Sequence, residues 1–91
     1  MKIYIIHRDI QGTLGVADSY ESAVQFLIDA EWLTEKHLIW DYDEEKETSL
    51  HDLGVNLEEI KTWGVNKFND FFYGDFCIQV ADLITNGPNR I

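Results

Sequence analysis

Gly12-Thr13-Leu14-Gly15-Val16-Ala17-Asp18-Ser19-Tyr20-Glu21 is the stretch on which the fold turns, because the hydrophobic period inside it changes from two residues to three and four. Upstream, Lys2–Ile10 alternates like a strand, and its Tyr4/Ile6 face is the one expected to be buried. Gln11-Gly12 supplies a turn with Gly12 at positive φ, and Thr13–Ala17 returns antiparallel to the first strand. Gly15 within that return marks a bulge or a close approach to a helix. Downstream, Asp18 and Glu21 have capping-box spacing, with Ser19 as the alternative cap. Tyr20, Ala23, Val24, Leu27 and Ala30 fall on one face of the ensuing helix, and Glu21, Ser22, Gln25 and Asp29 fall opposite. Beyond Ala30 the period fails: Glu31 would enter the apolar face and Trp32 would leave it. Either the helix ends there or Trp32 is exposed for a reason.

In the second half, Leu38–Asp43 alternates as a third strand, with Leu38, Trp40 and Tyr42 on one face and Ile39 and Asp41 on the other. Glu44–Glu47 reads as a solvated loop. Gly54-Val55-Asn56 and Gly64-Val65-Asn66 form a local repeat, in which each Gly closes one helical turn and each Asn caps the next. Asn56 has Glu59 at the capping-box position, and Ser49 with Asp52 opens an earlier turn. Three short helical segments follow, at 50–53, 57–63 and 67–73, with Leu57, Ile60, Phe68, Phe71 and Phe72 as their core residues. Asp75–Val80 reads as a last strand with Phe76, Ile78 and Val80 facing one way; a helix over 76–84 is the alternative. Asn86-Gly87-Pro88-Asn89 is turn chemistry. The expected fold is α+β. A small antiparallel sheet of three or four strands carries one main helix (about 19–30), and the short helices of the second half close the core of a single domain, 1–91.

Charge narrows the function. The chain has a net charge of −10, and residues 29–59 hold eleven Asp/Glu against two Lys, a net of −9. That acidity disfavours direct binding of nucleic acid, which rests on Lys and Arg, and of anionic membranes. Basic partners, cations or simple solubility remain. With three Trp, four Tyr and five Phe, the chain has the apolar bulk for a packed core despite its charge. A single cysteine, Cys77, excludes an internal disulfide and a Cys-based zinc site. No apolar run reaches membrane-spanning length and the N-terminus lacks a signal-peptide core, so a cytoplasmic setting is expected.

Catalytic and metal chemistry find little support. His7, His37 and His51 lie on different elements, without the spacing of a metal site. Cys77 sits in the apolar run Phe76-Cys77-Ile78 with no basic neighbour to lower its pKa, which reads as inert strand packing. Paired carboxylates are abundant but lie in hydrophilic runs, whereas general acid–base work needs one desolvated. Lys46 stands where a calcium loop beginning at Asp41 would need Gly. No catalytic residue and no cofactor is indicated.

What remains is the acid–aromatic run Trp40-Asp41-Tyr42-Asp43-Glu44-Glu45-Lys46-Glu47. On an extended strand Asp41 and Asp43 would project from one face about 6.8 Å apart, a row of charge able to imitate phosphates for a protein built to grip nucleic acid. Asp41, Asp43, Glu44, Glu45 and Glu47 are the acids expected to meet Lys or Arg of a partner, with Trp40, Tyr42 or Trp32 as anchors. If the apolar face of this strand turns inward, Trp40 and Tyr42 are lost as anchors and Trp32 becomes the better choice. The alternative is a self-associating structural or regulatory module, a homodimer through Trp32 and Phe71, Phe72 and Tyr73, in which the acids only solvate the domain.

The N-terminal third, Ile3-Tyr4-Ile5-Ile6, then Gly15-Val16-Ala17-Asp18-Ser19-Tyr20-Glu21-Ser22-Ala23-Val24 and Trp32-Leu33, resembles a recurrent module of small phage and prophage proteins. In that module a strand pair ending in Gly-Val leads into a helix opening on Ser-x-Glu-x-Ala. The shared motif is structural, so the resemblance implies no catalytic residue. It implies a mobile-element origin and action in a bacterial host cytoplasm. By size and charge the chain is similar to anti-CRISPR and related inhibitors, which implies as partner a basic host protein that handles nucleic acid.

Overall fold

Strand β1 (Lys2–Arg8) lies at the centre of an antiparallel sheet ordered β2-β1-β5, flanked by β2 (Gly12–Ala17) and β5 (Phe76–Asp82), in a computed structural model that describes residues 1–82 of the chain. Ile6 is fully buried and Tyr4 packs against the core, the face that alternation selects. The β1–β2 turn places both Ile10 (φ 74) and Gly12 (φ 82) in the left-handed region. Gly15 serves both of its expected roles. The ladder pairs Ile6 with Gly15 and His7 with Thr13, so Leu14 is the extra residue of a bulge. A Cβ on Gly15 would also stand 2.8 Å from Phe26 Cζ, so only glycine admits that ring against the strand.

Helix α1 (Tyr20–Asp29) buries Ala23, Val24 and Leu27. Its cap is Ser19, not Asp18: the Ser19 hydroxyl accepts from the Ser22 N–H at 3.1 Å, and the capping box at Asp18 and Glu21 is not used. The helix ends at Ala30, where the period fails. Glu31 enters the left-handed region (φ 62) and donates to Ile28, while Trp32 donates to Leu27, the paired bonds of a Schellman motif. The turn swings Leu33 into full burial and leaves Trp32 half-buried.

The middle of the chain departs from expectation. Strand β3 covers Leu38–Asp41 only, and of the expected loop Glu44–Glu47 only Glu44 and Glu45 lie in a turn: Lys46–Ser49 forms β4, paired with β3 in register Trp40 to Glu47 and Ile39 to Thr48. This hairpin is a second, two-stranded sheet that shares no ladder with the first. The segment 50–53 is a turn, opened by Ser49, whose hydroxyl accepts from the Asp52 N–H. Helix α2 (Leu57–Ile60) is capped by Asn56, which accepts from the Glu59 N–H at 2.7 Å. Helix α3 (Val65–Phe71) starts two residues before the expected position, with Gly64 rather than Asn66 as its cap residue. Ile60, Phe68 and Phe72 are fully buried; Leu57 and Phe71 pack around them.

Strand β5 settles the strand-or-helix alternative for 76–82 in favour of strand, with Phe76 and Ile78 inward and Val80 partly exposed; residues 83 and 84 and the turn at 86–89 lie outside the described residues. The outer edge of β5 is closed by one side chain. Asn69 of α3 accepts from the Ile78 N–H at 2.8 Å and donates to the Ile78 carbonyl at 2.9 Å, standing where a further strand would pair. Tyr20 donates its hydroxyl to the Ile60 carbonyl, tying α1 to α2, and burial pushes its pKa up to about 12. The sheet, α1 and the short helices thus make one α+β core, from which the hairpin projects.

Candidate protein-interaction site

The β3–β4 hairpin presents its apolar face outward. Residues opposite one another in an antiparallel pair share a face, so Leu38, Trp40, Ser49 and Glu47 stand together. Trp40 is 49% and Tyr42 76% exposed, their rings edge-to-face at 6.4 Å. The inward side is the other face, where Ile39 packs against the core. The possibility that burial removes Trp40 and Tyr42 as anchors is therefore overturned. Trp32 is instead the engaged residue, half-buried with the Arg8 guanidinium 5.5 Å above its ring.

The five acids do not act alike. The strand ends before Asp43, so no row of Asp41 and Asp43 projects from one strand face. Asp41 accepts from the Asp43 N–H at 2.9 Å and from the Glu44 N–H at 3.3 Å, both on Oδ1, so its carboxylate shapes the turn. Glu44 pairs with Lys46 at 2.9 Å, and that bond holds the Lys46 pKa above its ordinary value. Asp43, Glu45 and Glu47 are exposed and have no ion-pair partner among the described residues. The turn is tightened at Glu45, whose φ is 53.

Facing the hairpin is the end of α3 and the Tyr73-Gly74-Asp75 turn. A groove of about 350 Å³ separates them, with Trp40 and Tyr42 on one wall, Asp70 and Tyr73 on the other, and Arg8 and Asp75 at one end. Tyr73 is 83% exposed, whereas Phe72 is core and Phe71 half-buried, so the cluster Phe71–Tyr73 offers one outward ring, not three.

A polar pin that the sequence reading did not find fixes the hairpin to the sheet. Asp75 accepts from Arg8 Nε at 3.0 Å on one oxygen and bonds His37 Nε2 on the other. Burial pushes the Asp75 carboxyl up, but the His37 and Arg8 contacts outweigh it and hold the group below its ordinary value. The Arg8 guanidinium lies 4.9 Å above Phe76, and the His37 ring packs against Phe72 and Phe76. His37 immediately precedes β3, and its carbonyl accepts from the Leu50 N–H just after β4. The pin therefore positions both ends of the hairpin. Residues 29 apart or more in sequence supply it, so no local spacing could reveal it.

On the opposite face of the sheet, Cys77 is exposed, not packed, and stands across from His7. Among the described residues no group of three metal-ligating side chains forms. Among the described residues, too, no helix is long and apolar enough to cross a membrane. No protein-family model matches the chain, and no curated protein or solved structure matches it.

Proposed function

We propose that the chain is a non-catalytic binding protein, of phage origin, that inhibits a basic, nucleic-acid-handling host defence protein through the β3–β4 hairpin. The observation that carries this reading is the outward face of that hairpin: Trp40 and Tyr42 exposed beside Asp43, Glu45 and Glu47, none of the three acids in an ion pair among the described residues. Interfaces draw their energy from a few aromatic anchors and their orientation and rate from complementary charge. A hairpin held at its base by Arg8, Asp75 and His37 offers both with little ordering cost. A partner that grips phosphates would meet, in place of DNA, a rigid edge of carboxylates.

The test is capture from a nuclease-treated bacterial lysate by wild type and by the triple variant Asp43→Lys, Glu45→Lys, Glu47→Lys. Wild type should retain a basic nucleic-acid-binding protein that is released by about 0.5 M salt and by competing duplex DNA. The variant should retain none, with its thermal midpoint unchanged, because these side chains are solvated and make no ion pair among the described residues. Equal capture by wild type and variant refutes the reading.

A further inference from the structure

Beside the larger groove lies a smaller one, of about 320 Å³, between the hairpin and the end of α3. Its walls carry the rings of Trp40, Tyr42 and Phe71 and the carboxylates of Asp41, Asp43 and Asp70, and among the described residues no Lys or Arg lines it. Asp41 gives one oxygen, Oδ1, to the turn, as described above; Asp43 and Asp70 are the carboxylates with neither oxygen in a hydrogen bond or ion pair among the described residues. Flat aromatic walls with two free carboxylates suit one side chain above others. A guanidinium is planar, stacks on rings and directs two parallel N–H groups at a carboxylate, whereas an ammonium is a strongly hydrated point charge that does neither. The fold already contains this chemistry internally: Arg8 bonds Asp75 while lying over Phe76 and Trp32.

We infer that the groove between Trp40, Tyr42, Asp43 and Asp70 seats an arginine side chain of the partner. This rests on the reading of the hairpin as a surface for a basic protein and adds to it the identity of the central contact. The exposed acids of the turn then steer and orient the partner. The groove discriminates arginine from lysine.

Isothermal titration of the full chain with nona-arginine and nona-lysine, at matched salt, tests the inference. Wild type should bind nona-arginine about tenfold more tightly than nona-lysine. The isosteric exchange Asp70→Asn, on an exposed position, should bring the two affinities within about twofold of each other. Trp40→Ala should do the same, and the Trp40 indole N–H resonance of wild type should shift with nona-arginine alone. The triple reversal at Asp43, Glu45 and Glu47 should weaken both peptides. Equal affinity for the two peptides in wild type, or a preference that survives both Asp70→Asn and Trp40→Ala, overturns the arginine seat. The hairpin reading still holds in that case if the triple reversal weakens binding of both peptides. Failure of wild type to bind either peptide overturns both.

Discussion

Replacing Asn69 by Ala should be among the most damaging single changes at a position outside the buried core. Its amide makes two bonds, of 2.8 and 2.9 Å, to the two main-chain groups of Ile78 that point away from β1. Ile78 is 1% exposed, and the Asn69 contacts are half-buried, so water replaces the lost amide only in part. An unsatisfied buried backbone group costs about 1–3 kcal/mol. Two such groups, each partly reached by solvent, give a loss of about 2–3 kcal/mol, a large share of the roughly 5–14 kcal/mol expected of a domain this size. Urea unfolding should show a lower midpoint with an unchanged slope, and the Ile78 amide should lose hydrogen-exchange protection ahead of the Ile6 amide. Asn69→Asp sharpens the test: it keeps an acceptor for the Ile78 N–H but sets a carboxylate against the Ile78 carbonyl. That variant should be destabilised at pH 7 and should regain part of the difference from wild type below about pH 4, where a protonated carboxyl can donate. An Asn69→Ala protein within about 0.5 kcal/mol of wild type, with Ile78 equally protected, refutes the argument.

Two further outcomes follow from the core and the pin. Asp75 titrates below its ordinary value, so its contribution to stability is present above pH 3.8 and is lost as pH falls below it through the folded-state value; the stability gap between wild type and Asp75→Asn should close as pH falls from about 5 through that value, and a gap independent of pH in that window would count against the pin. Gly15→Ala drives a methyl to 2.8 Å from Phe26 and should cost about 1–3 kcal/mol, of which Phe26→Leu in the same chain restores a part; simple additivity of the two changes in urea unfolding would show that the ring and the strand are not in contact.

The sequence was informative wherever one residue type answers one backbone need. Gly12 at the turn, Gly15 under Phe26 and Asn56 on the Glu59 N–H are such cases, and each stands where local chemistry puts it. Strand β4 escaped because Lys46-Glu47-Thr48-Ser49 contains no apolar residue; its inward position is filled by Thr48, half-buried opposite Ile39, and a hydrophobic alternation cannot register that. The orientation of β3 escaped for a related reason. Both of its faces carry apolar residues, and Leu38 and the large Trp40, with Tyr42 just beyond the strand, point to solvent while Ile39 packs inward. Size suggested burial, and position in the fold decided otherwise. The end of α1 was legible from periodicity, though not its device, because the left-handed position is held by Glu31 and not by glycine. The Arg8–Asp75–His37 pin joins three distant segments and is a property of the tertiary fold alone.

The separation of the hairpin from the main sheet bears on how such a protein changes over generations. Since β3 and β4 pair only with each other among the described residues, lengthening or rewriting the turn 42–45 shifts the register of no other described strand. A partner that relocates its surface charge could be followed by edits to four residues, with the core of Ile6, Leu27, Phe68 and Phe72 left as it is. Drift is confined at the other end, where His37 and Leu50 fasten the hairpin to its base. The tip is free to be rewritten, and the base keeps each rewritten tip pointing the same way.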